Sequence, residues 1–257
     1  MSIHPTAIID SHAELDSSVE VGPYAVIGPH VRIARQTRVG SHAVIEGRTT
    51  IGIGNIIFPH ACIGGVPQDL KYAGEPTRLE IGDHNQFREF STVHIGTTQG
   101  GGLTKIGNAC LLMANSHVAH DVQLGDHCIL ANSCALAGHV RVEDRVIFGG
   151  LTAVHQFTRV GRLAFVSGGA MVTQDVPPYV TVQGDRAEVV GLNTVGLTRA
   201  NFDGDAMARV KSAYKILYRS KLGLREAVSR VRAEHGGHSE IDHLVAFLDG
   251  SERGIAR

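Results

Sequence analysis

The sequence predicts a mainly β protein: a parallel β-helix of six-residue repeats followed by a small helical domain. Aliphatic residues recur at every sixth position through most of residues 1–178, and the spacing turns helical after residue 198. Composition agrees, since 31 Gly, 5% aromatic residues and no Trp suit many tight turns around small inward side chains.

The repeat starts at Ile3 and passes through Ile9, Leu15, Val21, Ile27, Ile33, Val39, Ile45, Ile51, Ile57 and Ile63. The next residue is often small, as at Gly22, Gly28 and Gly40, and a short residue stands four places on, as at Ala7, Ala13 and Val19. The pattern stops after Gly64, resumes at Ile81, Phe87 and Val93, and stops again at Thr97–Gly102. It restarts one residue out of phase at Ile106, continues to Val172, and ends at Pro177-Pro178. A six-residue period fits neither a helix of 3.6 residues per turn nor one long strand. It fits short strands joined by turns, coiled so that the aliphatics stack in ladders.

The two interruptions mark inserted loops near 65–78 and 97–105, and residues 179–197 are expected to form an extended linker. In 198–257, Val210, Ala213, Tyr214 and Leu217, then Leu224, Ala227, Val228 and Val231, then Ile241, Leu244, Val245 and Leu248 recur at helical spacing. They predict about three helices, the last two separated by Gly236-Gly237.

Charge is balanced, with 24 Lys+Arg against 25 Asp+Glu. That argues against nonspecific nucleic-acid or membrane-surface binding, which needs a basic excess. Met1-Ser2-Ile3-His4-Pro5 has neither the basic nor the apolar region of a secretory signal. No apolar run approaches the roughly 20 residues of a membrane span. Cys110, Cys128 and Cys134 fall on the small inward position, without metal-type spacing, and read as buried reduced thiols.

There are 15 His. His12, His30, His42, His60 and His84 take the fourth position of their repeats, at a turn, and read as surface residues. His117, His120, His139 and His155 differ, because they cluster in the late coils. If three repeats make one coil, a step of 18 carries His120 to Gly138, beside His139, and Ala137 to His155. His120, His139 and His155 should then share one edge of three consecutive coils about 4.8 Å apart. Such a stack can move protons, hold zinc with an open fourth position, or be a coincidental polar ladder. Asp121 follows His120 and could orient its imidazole.

Nearly the whole chain, helices included, resembles the UDP-N-acetylglucosamine 3-O-acyltransferases among the hexapeptide-repeat acyltransferases. The segment Pro67-Gln68-Asp69-Leu70-Lys71-Tyr72-Ala73-Gly74-Glu75-Pro76-Thr77 is the most specific match, with Gln99–Lys105, His117–Asp121, Leu136–Val140, Ala153–Phe157, Gln174–Tyr179 and Ala213–Lys215 beside it. The resemblance implies a left-handed β-helix, three repeats per coil. It implies transfer of an (R)-3-hydroxyacyl group from acyl carrier protein to the sugar 3-hydroxyl, the first step of lipid A biosynthesis. His120 would be the general base, Asp121 its orienting carboxylate, and Gly138 N–H the oxyanion donor, with no covalent acyl-enzyme. Asp69, Lys71, His94, His117, His139 and His155 would line the sugar and phosphate site, and Gln156, Asn193 and Arg199 the nucleotide end. Gly168 would set acyl length. Arg209, Lys211, Lys215 and Arg219 would dock the acidic acyl carrier protein.

The resemblance also implies a homotrimer with sites between subunits, and no cofactor or metal, the carrier-protein thioester being a co-substrate. Three places depart from the family pattern. Ile95 stands where an Arg is frequent, Gly184-Asp185-Arg186 where Gly-Asn-His is usual, and Ala200 replaces the second of two Arg. They bear on donor and nucleotide recognition and leave a 3-amino sugar as a possible acceptor. The competing readings are a zinc hydratase on the same scaffold, as in gamma-class carbonic anhydrases, a non-catalytic solenoid, and an acyltransferase using acetyl-CoA or acting later on the glucosamine nitrogen.

Overall fold

The structure, a computed structural model, describes residues 2–257. The chain coils into a triangular prism with three sheets as faces. The first face has eleven strands, from Ser2–Ile3 to the pair Val180–Gln183 and Glu188–Leu192. The second has nine, from Ile8–Ile9 to Met171–Val172, and the third eight, from Glu14–Leu15 to Arg159–Val160. Most strands are two residues long, because the repeat allows only two before the next turn. The second residue points inward and is buried, as at Ile27, Ile33 and Val39, while Val26, Arg32 and Arg38 point out. Each aliphatic stacks on the one a coil away, and burying such a side chain is worth about 1.5–3 kcal/mol.

Register partners are 18 residues apart, as in Leu130↔Phe148 and Phe148↔Val166. Two steps are longer: Ile57 pairs with Phe87, 30 residues on, and Phe87 with Leu112, 25 on. The first excess is two whole repeats and keeps phase. The second is a repeat plus one residue, which accounts for the one-residue slip in the sequence. Both insertions leave from one corner, between the second and third faces, after Cys62–Gly65 and after Thr92–His94.

The fourth repeat position is left-handed at most turns, for instance at Tyr24, His42, His60, His84 and Asn115, with φ near 60°. That conformation costs non-glycine residues roughly 1–2 kcal/mol. It is offset because the same residue's N–H reaches back to the previous coil, as in His60 N to Ser41 O at 3.2 Å and Ser133 N to Ala114 O at 3.0 Å. The surface histidines are all exposed, and His42 and His60 stack between Tyr24 and Phe90 with ring centroids 5.0–5.1 Å apart.

The fifth position carries a polar column at the corner between the third and first faces. Asn55 Nδ2 donates to Gly82 O at 2.9 Å, and Asn55 Oδ1 accepts from Asn85 N at 2.9 Å. Asn85 repeats the pattern one coil on, donating to Gly107 O at 3.0 Å and accepting from Cys110 N at 2.7 Å. Cys110 and Cys128 continue the column as free thiols, donating to Gly125 O and Glu143 O at 3.1 and 3.2 Å. Besides filling space, these thiols satisfy buried turn carbonyls.

The segment 179–197, expected as an extended linker, is part of the body. Val180–Gln183 pairs parallel with Phe165–Val166 and Glu188–Leu192 folds back antiparallel. The open edge of the last coil leaves strand groups without partners, and Val180 and Val182 bury against it at period two. A short helix, α1 Thr194–Arg199, closes this segment, and three helices follow within 198–257: α2 Gly204–Arg219, α3 Leu224–His235 and α4 Ser239–Asp249. Their apolar stripes form a second core with Tyr179, Leu163 and Leu197. Arg159 stacks on Phe247 at 4.3 Å and ties α4 to the coil. None of the helices is long and apolar enough to cross a membrane.

Asn85→Ala should lower stability by about 2–3 kcal/mol, because two buried backbone groups lose their partners. The urea midpoint of the variant checks this, and an unchanged midpoint would show that the column carries no stability.

Candidate active site

The corner that ejects both insertions also carries the clustered histidines. One coil beyond the second insertion, the strand His117–Val118 leads into a turn holding His120 and Asp121. The next coil presents Gly138 and His139 after Ala135–Leu136, and the next Gln156 and Phe157 after Ala153–Val154. Asp121, His139 and Phe157 occupy the left-handed fourth position, with φ of 60°, 62° and 65°. Their side chains therefore form one column.

Asp121 is 4% exposed. Its Oδ2 lies 2.8 Å from His120 Nδ1 and 3.8 Å from His139 Nδ1. A buried carboxylate can only accept, so His120 carries its proton on Nδ1 and leaves Nε2 free to take another. Nε2 faces Gly138: a Cβ on that glycine would stand 2.7 Å from it, so only glycine fits. The N–H of Gly138 has no acceptor among the described residues. A free base nitrogen thus stands against a glycine whose backbone N–H is unengaged among the described residues. The His139 ring is nearly perpendicular to that of His120, centroids 5.1 Å apart, and stacks flat on Phe157 at 4.4 Å.

A second pair adjoins the first. His94 ends the strand Thr92–His94, and its ring lies 4.8 Å from that of His117. Thr92 Oγ1 lies 2.7 Å from His117 Nδ1. Burial, then the neighbouring His117 and His120, push the His94 pKa down to about 4. Burial first and His120 second lower that of His117. For His139, burial is again the larger influence, and Asp121 and Asp69 oppose it without reversing it. These rings are neutral near pH 7.

The structure brings His94, His117, His120, Asp121, Gly138 and His139 together, with Asp69 of the first loop near enough to act on the His139 pKa. Asp69 Oδ1 accepts from Lys71 N at 3.0 Å, and Lys71 itself is exposed. His155 and Gln156 lie at the same corner but outside the cluster. His155 Nδ1 is 3.1 Å from Gln156 O and 3.3 Å from Arg253 Nη2. Phe157, not His155, continues the column below His139. Sequence reading missed it, although adding 18 to 139 points to it directly.

Asn193 and Arg199 lie elsewhere. Asn193 Oδ1 caps α1 by accepting from Gly196 N at 3.0 Å, and Nδ2 donates to Leu163 O at 2.9 Å. With Arg199, His127, Arg145 and Phe165 it lines a cavity of about 560 Å³ over the outside of the first face. Gly168 sits at the corner between the first and second faces, where a Cβ would come within 3.3 Å of Gly150 O. On α2, Lys211, Lys215 and Arg219 are exposed. Arg209 is engaged instead, 2.6 Å from Glu240 Oε1.

A coil of hexapeptide repeats with an oriented imidazole at one corner is the architecture of an acyltransferase of that class. Residues 103–138 match the family model described as bacterial transferase hexapeptide (six repeats), and residues 175–256 match that described as UDP N-acetylglucosamine O-acyltransferase, domain 2. The chain is 60% identical over 257 residues, all of both chains, to the acyl-[acyl-carrier-protein]–UDP-N-acetylglucosamine O-acyltransferase of Anaeromyxobacter sp. (strain Fw109-5). It is 60% identical over 255 residues, 99% of both chains, to the protein of that name from Myxococcus xanthus (strain DK1622). The crystal structure of UDP-N-acetylglucosamine O-acyltransferase from Moraxella catarrhalis RH4 superposes with a TM-score of 0.96, at 42% identity and 100% coverage of both chains. The chain belongs to the acyl-[acyl-carrier-protein]–UDP-N-acetylglucosamine O-acyltransferase family. It is an acyltransferase with the fold the sequence led us to expect, a left-handed parallel β-helix followed by a small helical domain.

A histidine with a folded pKa below its unfolded value favours the native state above the unfolded pKa. That contribution is lost as pH falls through the window from about 6.5 to the folded value, about 4 for His94. His94→Gln should therefore lose less stability than the wild type between pH 7 and pH 4.5. Urea midpoints at the two pH values check this.

Proposed function

We propose that this protein transfers an (R)-3-hydroxyacyl group from acyl carrier protein to the 3-hydroxyl of UDP-N-acetylglucosamine, in the cytoplasm, as the first step of lipid A biosynthesis. One observation carries the reading: buried Asp121 holds His120 by Nδ1, and this leaves Nε2 free beside the N–H of Gly138. The relatives' names supply the substrates.

The sugar hydroxyl oxygen attacks the thioester carbonyl carbon while His120 Nε2 takes its proton. The carbonyl oxygen becomes an oxyanion facing the Gly138 N–H. The intermediate collapses, the C–S bond breaks, and the imidazolium returns the proton to the departing thiolate of the carrier protein. The imidazolium is stabilised by Asp121, in the way a triad carboxylate acts. No covalent acyl-enzyme forms, and no organic cofactor is called for. The neutral rings of His94, His117 and His139 can hydrogen-bond sugar and phosphate oxygens without competing with His120 for a proton. Asp69, His155 and Gln156 flank that site, Lys71 and Arg199 supply positive charge for the diphosphate, and Asn193 orients the nucleotide.

Asn193 and Arg199 lie away from the His120 corner of the same chain, so a complete site draws them from a neighbouring copy. A homotrimer does this. The outward residues of the first face include Ile56, Leu111, Ile129, Ile147 and Phe165, and those of the second Ile8, Val26, Ala135, Ala153 and Met171. The third face is instead charged, with Arg32, Glu80, Lys105, Arg141 and Arg159 outward. The first face is apolar from Leu111 to Phe165 but carries Glu20, Arg38 and Gln86 in its early coils, so it is the apolar parts of the first two faces that suit a closed three-fold packing with the charged third face to solvent. Small Ala135 and Ala153 lie between the His120 corner and the Gly168 corner, a course along which an acyl chain would be measured. Lys211, Lys215 and Arg219 offer the carrier protein an exposed basic edge, with Arg209 fixing α2 against α4 through Glu240.

The zinc reading rests on three histidines, but His155 lies outside the cluster, and the donors within 4.8 Å of one another are those of His120, Asp121 and His139. Both oxygens of Asp121 already accept hydrogen bonds from the protein. A metal would have to displace these bonds, so the donor set fits a held imidazole better than a metal centre.

Acyl transfer is measured from a panel of 3-hydroxyacyl carrier proteins to UDP-N-acetylglucosamine and its 3-amino analogue. His120→Ala should lose roughly 10²–10⁴ in kcat, the usual contribution of a positioned base, while still binding the sugar nucleotide. A fully active variant would overturn the assignment, and a folded wild type inactive on both acceptors would overturn the function. Gly168→Met should shift preference to shorter chains in the same panel, because the side chain fills the end of the groove.

A further inference from the structure

The second insertion closes over a single group. Thr97 donates its backbone N–H to Asp121 Oδ1 at 2.8 Å and its hydroxyl to Oδ2 at 2.6 Å. The same hydroxyl accepts from Gly100 N at 3.3 Å and thereby holds the short 3-10 turn Thr98–Gly100 in place. Gly100 lies flat on the carboxyl group, where a Cβ would overlap the Asp121 carboxyl atoms. From below, Thr104 Oγ1 accepts the Asp121 N–H at 2.7 Å. Thr97 is 1% exposed and Asp121 4%, so the bonds between them are shielded from solvent.

We propose that Thr97 is a positioning residue for the reaction, setting the plane of the Asp121 carboxylate and through it the orientation of the His120 imidazole. This rests on the reading of His120 as the base. The terminal torsion of an aspartate is soft. A carboxylate held through one oxygen swings about it, and an imidazole bonded to that carboxylate swings with it. Thr97 grips both oxygens, one with a backbone donor and one with a side-chain donor, so the torsion is fixed at both ends. A hydroxyl bonded to a carboxylate at 2.6 Å is in the short, charge-assisted range. The β-branch of threonine restricts its own rotamer, so the hydroxyl is aimed before the carboxylate arrives. Two bonds from Thr97 leave the remaining reach of Oδ2 to His120 Nδ1. The third group of a catalytic triad does the same service for its histidine, and here a fourth group does it for the third.

This role accounts for the insertion itself. An ordinary turn carries too few residues to leave the coil, place two donors over a carboxylate one coil further on, and return. The seven extra residues do that, at the cost of the one-residue slip in the repeat.

The test compares Thr97→Val, Thr97→Ala and Thr97→Ser with the wild type in the acyl-transfer assay, with His120→Ala alongside. Valine keeps the shape and the backbone N–H and loses only the hydroxyl. Alanine cannot crowd the carboxylate, and covers a valine variant that fails to fold. The expected result for both is a kcat lowered roughly tenfold to a hundredfold, with KM for the sugar nucleotide within about twofold. Serine restores the donor and should return kcat to within about threefold of wild type. Unchanged kcat in Thr97→Val and Thr97→Ala, a loss carried in KM, or serine as impaired as valine would overturn the proposal. If His120→Ala keeps wild-type kcat, the base assignment itself fails. If His120→Ala is inactive while the valine and alanine variants are not, only the positioning role fails.

Discussion

Everything in this molecule depends on the inward ladder of aliphatic side chains. Each two-residue strand offers one inward side chain, and Ile27, Ile45, Ile63 and their successors stack along the axis at nearly zero exposure. The ladder requires a strict step of 18 residues per coil, and the step requires a turn every six. The turn is tight enough that its fourth residue is left-handed, and the strain is offset by bonds to the coil before it. With the interior committed, additional residues can leave only at a corner, outward. Both insertions do so at one corner, where the clustered histidines also lie.

At that corner burial sorts the histidines. His94, His117 and His139 are lowered chiefly by loss of solvent. Neutral rings donate and accept without drawing a proton away from the reaction. His120 differs in its partner, since it alone is bonded to the buried carboxylate at 2.8 Å. The division follows from position in the turn. The third residue, His120, looks toward Gly138, while the fourth, His139, joins the column with Asp121 and Phe157. A rigid coil holds these positions better than loops would, and the loops supply the covering and the charge.

The His120 corner and the cavity over the first face are separate regions of one chain. Asn193 and Arg199 sit over the first face, away from that corner, and the proposed trimer would bring them to the His120 corner of a neighbouring copy. The helical domain is locked to the end of the coil through Tyr179, Arg159 and the second core. The exposed cations of α2 therefore keep a fixed direction relative to the coil.

The repeat period, the two insertions, the one-residue slip and the change to helices could all be read from the sequence, because each is a matter of spacing along the chain. The coil step of 18 placed His120 beside Gly138 correctly, since a regular coil turns sequence distance into spatial distance. Where that regularity ended, prediction ended too. The segment after Pro177-Pro178 joined the sheet because an open strand edge needs partners, which periodicity cannot reveal. Arg209 found Glu240, 31 residues away on another helix. Phe157 took the place beneath His139, and Thr97 reached Asp121 across 24 residues. Sequence determined which residues are available and at what phase. Only the tertiary structure decided which of them touch, because hydrogen bonds and ring contacts depend on distances that an irregular loop or a second domain sets anew.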